Sequence, residues 1–260
     1  IRPASERVRE ACLQRHIPVS RFIFTELGRF VRLYKAVVVE RPARLSSGAG
    51  DGLPYFVPVI SELSMNASSQ LAHPLRSQRL NQITHEPHSH LDNLVKSHDP
   101  FASPERFSHF VAAQYLFQRD LEKLYNDPQL IELVPDLPQR CRVEQAVLDL
   151  ADLQRALPEG DDAIRNKVMG TGEALAWLFV SEGSKLGAAF LLKRMPALGL
   201  SETFGARHLG EPEGGRAQGW KAFTAVLDSV ELDAEQERLA EVAAIAAFER
   251  FTVHLERCFA

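Results

Sequence analysis

The chain has 260 residues, 45% of them hydrophobic and 25% charged, enough apolar material for one sizeable core without disulfide or metal staples. The net charge of -4 is unevenly spread. Residues 1–64 carry 10 Lys/Arg against 6 Asp/Glu, and residues 65–260 carry 20 against 28, a mildly acidic body that argues against a nucleic-acid surface.

In chain order, the first 64 residues scatter their arginines and end in a Gly/Ser/Pro-rich stretch, 44–58, that cannot continue a helix. Met65 opens a short polar leader, and the natural chain is expected to start there, with 1–64 an upstream extension of little structure. A targeting peptide is the competing reading, weakened by Glu6, Glu10, Glu26 and Glu40 among the arginines and by the lack of a compact apolar core before a cleavage site. From Leu75 onward the apolar periodicity is helical nearly throughout, with no hairpin signal. It predicts helices at 76–97, 103–125, 139–154, 171–195, 216–229 and 234–258, a single all-α domain over 65–260. Pro87 should kink the first helix or mark a fresh first turn. The longest apolar stretch, 174–192, contains Glu182 and Lys185, so no membrane span is expected. Cys12, Cys141 and Cys258 form no C-x-x-C pair, which points away from a disulfide framework or zinc ribbon and toward a reducing, cytoplasmic compartment.

Two features carry chemistry. In a helix over 80–95, Leu80, Thr84, His88, Leu91 and Val95 share one face, so His88 is expected to face the interior while His85 and His90 point elsewhere. A neutral imidazole aimed into a low-dielectric space suits axial ligation of haem iron; a core histidine satisfied by a carbonyl or carboxylate is the plainer alternative. The second feature is the pair Gly183 and Gly187 inside the otherwise strong helix around Trp177–Phe190. Each interior glycine costs about 0.5–1 kcal/mol relative to alanine, so something should offset the loss. Four residues apart, the two leave one face free of side chains, open either to a flat ligand or to a closely packed helix.

The run Arg79–His88 with Leu91–Lys96, the segment Phe107–Phe117, the glycine helix, and Phe204–Leu209 with Glu211–Lys221 resemble bacterial haem oxygenases. They are most like the pseudomonad enzymes that release iron from haem during iron starvation. The resemblance runs from about residue 75 to the C-terminus, and residues 1–64 have no counterpart in it. It implies that haem is both cofactor and substrate, that His88 is the proximal iron ligand, and that Gly183 and Gly187 lie on the distal helix whose main chain crosses the haem face. It further implies O2-dependent cleavage of haem to biliverdin, carbon monoxide and ferrous iron. The electrons would come from a ferredoxin or an NAD(P)H-dependent reductase, and a haem-delivery protein is a further possible partner.

Haem propionates call for cations at the pocket mouth, for which Lys96, Lys193, Arg194 and Asn81 are the candidates. Related pseudomonad enzymes carry lysine at position 194, and arginine here bears on how haem is seated. Phe179 and Phe190 are candidates for packing on the ring, or ordinary core residues. Arg142, Asp149 and Asp152 are candidate anchors for ordered water, or members of a solvated helix face. A di-iron carboxylate bundle is disfavoured, because no histidine has a glutamate three residues before it. A non-catalytic haem carrier or sensor remains the alternative function. A helical interaction protein would explain the periodicity but not the two glycines.

Overall fold

In this computed structural model, residues 74–260 are described; the expectations for residues 1–64 and for the leader at Met65 lie outside them. The described residues fall within one unit and contain helices α1 (Arg76–Ile83), α2 (His85–His98), α3 (Pro104–Tyr125), α4 (Pro128–Leu133), α5 (Leu137–Arg140), α6 (Val143–Asp152), α7 (Thr171–Leu192), α8 (Arg216–Ser229) and α9 (Ala234–Phe259). Short 3-10 turns occupy Met195–Leu198 and Arg207–Leu209. No strand is present among the described residues, only isolated bridges from Ser201 to Phe204 and Gly205.

Helix starts follow local chemistry. Ser103 Oγ accepts from Arg106 N at 3.1 Å with Pro104 as the first residue of α3, and Asp127 Oδ1 accepts from Gln129 N at 2.8 Å ahead of Pro128 in α4. Such caps satisfy backbone donors that a helix start leaves free. Asp233 and Gln236 cap α9 reciprocally at 2.8 and 2.9 Å.

The single helix expected over 76–97 is two. Thr84 breaks it, its Oγ1 bonding Leu80 O at 2.6 Å, and Pro87 falls in the first turn of α2, where its missing N–H is tolerated. The segment expected at 139–154 is likewise split into α5 and α6, and α7 ends at Leu192, three residues short of the expectation.

The core is built around α7 and α9. A strip of buried alanines, Ala240, Ala243, Ala244 and Ala247, keeps α9 slender where it meets its neighbours, and α7 and α3 are its main partners. Gly172 serves the same approach. A Cβ there would meet Leu232 Cδ1 at 2.7 Å and Gln236 O at 3.3 Å, so the start of α7 seats against the start of α9. By length and composition alone α7 could cross a membrane, but half of that stretch is buried within the domain. α8 packs on α7, α6 on α3, and α2 on α9.

Candidate active site

α2 has no fully buried residue. Leu91, Leu94 and Val95 are half-buried, so the helix presents apolar surface that the protein only partly covers. His88 follows that pattern: its side chain is 44% exposed, which corrects the expectation of an interior-facing ring. The turn at Thr84 keeps the stripe in phase, with Thr84 N–H on Leu80 O at 3.0 Å and His88 N–H on Thr84 O at 2.9 Å, so the exposure of His88 reflects how little of α2 the described residues cover. The imidazole sits edge-on to Phe248 of α9, centroids 5.7 Å apart. His88 Nδ1 lies 3.6 Å from Asp92 Oδ2, beyond hydrogen-bond length but close enough to bias the proton toward Nδ1 and leave Nε2 unprotonated, its lone pair free. Burial pushes the Asp92 carboxyl above its usual range, with His88 and Lys96 pulling the other way.

The two glycines differ. A Cβ on Gly187 would meet nothing within 4 Å. A Cβ on Gly183 would meet Trp220 at 3.5 Å, ordinary contact. Neither position is therefore forced to glycine by a neighbouring helix, and the close-packing explanation for the pair loses its support. Phe179, buried at 5% exposure and tilted against Trp220 at 5.2 Å, is a core residue behind this surface; little of it is left for a ligand. Phe190 is half-buried with Lys193 5.4 Å over its ring.

The segments that follow α2 and α7 meet. Arg194, just past α7, stacks 4.1 Å over Phe101, just past α2; burial lowers the Arg194 pKa while Asp99 works against the shift. Both helices also pack on α9. His88 lies toward the other end of α2 and Gly187 about two turns back along α7, so the imidazole and the bare stretch sit along two helices that share one floor. Asn81 and Lys96 are half-buried on α1 and α2, and Lys193 is exposed. Cavities of 420 and 320 Å3 lie elsewhere, lined by residues including Asp152 and Phe204, and His98 and Phe259; neither is lined by His88, Gly183 or Gly187.

These residues fit a haem: an imidazole nitrogen with no protein partner, apolar helix surface beside it, a backbone stretch whose Cβ direction is open, and cations at the helix ends. The proposed water anchors do other work. Asp149 is fully buried, accepts from the N–H groups of His208 (2.9 Å) and Arg207 (2.8 Å), and lies 2.8 Å from His208 Nδ1. Burial alone would raise its pKa, but the His208 and Arg207 bonds outweigh that and hold it low. Asp152 accepts from Gly205 N at 2.8 Å and pairs with Arg207. Both carboxylates thus tie the segment after α7 to α6, and Arg142 reaches Gly210 O at 3.4 Å.

The sequence reading missed Asp92, legible in its i, i+4 spacing from His88, and a polar cluster on the far side of α7. Glu182 is buried and ion-paired with Arg140 (3.1 Å) and Lys185, and it accepts from Tyr125 OH at 2.8 Å. Lys185 at i+3 was a visible signal; Tyr125 and Arg140, distant in sequence, were not.

The sequence model of the family described as "Heme oxygenase" matches residues 75–257. The chain is 61% identical over 186 residues to heme oxygenase PigA of Pseudomonas aeruginosa, an alignment covering 72% of this chain and 94% of that protein. It is also similar to a crystal structure of the NO- and CO-bound heme oxygenase of Neisseria meningitidis, with a TM-score of 0.67 and 33% identity, covering 72% of this chain and 93% of that one. The matched residues include α2 with His88 and α7 with both glycines, and the chain belongs to the haem oxygenase family.

Proposed function

We propose that the protein cleaves haem with O2 to biliverdin, carbon monoxide and ferrous iron, with His88 as proximal ligand and the Gly183–Gly187 main chain over the opposite face. The observation that carries the reading is Gly187: a mid-helix glycine whose Cβ direction is open within 4 Å, on a helix that shares the floor of α9 with α2. Bound haem supplies the iron at which O2 is reduced and the ring that is opened. The chain's part is to hold and shape. Asp92, 3.6 Å from His88 Nδ1, favours the tautomer protonated on Nδ1, so the neutral imidazole would offer its Nε2 lone pair to the iron. The side-chain-free stretch of α7 admits O2 but offers no second strong ligand. Arg194, Lys193, Lys96 and Asn81 would receive the propionates, Arg194 with its guanidinium over the Phe101 ring.

Electrons would come from a ferredoxin or NAD(P)H-dependent reductase, and haem from a delivery protein. A cytoplasmic setting is in keeping with the free Cys141 and Cys258. The residue 65–260 segment would suffice for the reaction. The test is aerobic turnover of the purified haem complex with a ferredoxin system: the Soret band should decay as biliverdin absorbance grows, and His88→Ala should lose the histidine-ligated Soret spectrum. Haem that persists intact in the wild type would instead favour a carrier or sensor.

A further inference from the structure

At about 100° per residue, Ser181, Glu182 and Lys185 lie roughly 120–180° round α7 from the Gly183 and Gly187 face. That far side is a buried polar cluster. Tyr125 OH of α3 donates to Glu182 Oε1 at 2.8 Å and lies 2.7 Å from Ser181 Oγ, which accepts from Gln118 Nε2 at 2.8 Å. Arg140 Nη1 of α5 reaches Glu182 Oε2 at 3.1 Å and also Gly219 O of α8 at 3.1 Å, and Arg140 Nη2 pairs with Asp136 at 2.9 Å. Lys185 Nζ pairs with Glu182 and donates to Arg140 O at 2.6 Å. From α8, Arg216 Nη1 donates to Lys185 O at 3.0 Å, and Trp220 lies beside Gly183.

The face that carries Gly183 and Gly187 has no side chains at those positions with which to fix its rotation or depth, and the two glycines weaken the helix there intrinsically. An apolar seat would tolerate sliding and repacking, whereas a buried ionic group specifies register, its best-attested use. Both Glu182 oxygens are engaged by donors from three helices, α3, α5 and α7, and Arg140 extends the tie to α8.

We propose that Glu182, with Tyr125, Arg140 and Lys185, is a positioning residue that sets where the main chain of α7 crosses the haem, and hence which meso carbon is oxidised. This rests on the haem oxygenase reading, and the test separates the two. Glu182→Gln, Lys185→Met and the milder Tyr125→Phe, which keeps the ring in the core, are compared with wild type by two readouts. In the haem-free proteins, amide hydrogen exchange at residues 183–190 should quicken about tenfold while α3 and α9 stay protected. In the haem complexes, chromatography should show a changed biliverdin isomer ratio with haem affinity held within about threefold of wild type.

Failure of the wild type to degrade haem would count against the enzymatic reading alone, because the exchange measurement needs no turnover. Unchanged exchange in Glu182→Gln and Tyr125→Phe would overturn the positioning role. So would a loss of thermal stability with the isomer ratio intact, which would make the cluster a structural brace only.

Discussion

Asp92 and Asp161 carry the same side chain and are moved in opposite directions by their surroundings. Burial on α2 raises Asp92, against the pull of His88 and Lys96. Asp161 is exposed, and hydrogen bonds from Arg250 and the Ala163 N–H lower its pKa from 3.8 to about 2. Arg250 grips it with two nitrogens at 2.8 and 3.0 Å while its Nε holds buried Asp120 at 2.6 Å. A carboxyl depressed on folding stabilises fully above its unfolded value of 3.8 and loses that contribution as pH falls through about 2. Asp161→Asn should therefore lower the melting temperature at neutral pH modestly, as expected of a solvent-screened pair contributing about 1 kcal/mol or less. The gap from wild type should shrink between pH 4 and pH 2. Thermal scans across that range check it, and a gap that widened on acidification would contradict the assignment.

At the scale of the element, α7 makes its requirements visible. Stability alone does not call for glycine at 187, because alanine would gain helix propensity and meet no neighbour within 4 Å. Gly187→Ala should therefore raise the unfolding free energy of the haem-free protein by about 0.5–1 kcal/mol while slowing haem turnover. Urea denaturation followed by circular dichroism, paired with turnover, reads both, and a destabilised variant would show that the Cβ direction is not free. The periodicity of α3, α7, α8 and α9 was legible because each buries a sustained apolar stripe, and α3 and α9 also begin at side-chain caps. The shorter α4 and α5 were not: at six and four residues, among prolines, they leave no stripe to read. The break at Thr84 was hidden because Leu80 and Thr84 keep the stripe apparent up to the break itself. The half-exposed position of His88 was not legible, because nothing in the pattern of α2 tells how little of that helix its neighbours cover.

Across the whole molecule, the site is assembled by pieces far apart in sequence. α9 is the floor on which α2 and α7 lie, and the long connection from α6 to α7 is pinned to the bundle by Arg250–Asp161 and Arg119–Asp162, the latter at 2.6 Å. His88 and the glycines were readable as candidates because their residue types are unusual in their local setting. The Glu182 cluster was not, because Tyr125 and Arg140 meet it from 57 and 42 residues away, and only the packing of α3 against α7, with α5 seated on α3, brings them there. The account stands on His88 and the Gly183–Gly187 stretch facing one ligand from its two sides. The structure of the haem complex tests this most directly. It should show iron bonded to His88 Nε2, with the main chain of Gly183–Gly187 across the opposite face and no side chain between; iron held by another residue, or haem seated away from α7, would contradict it.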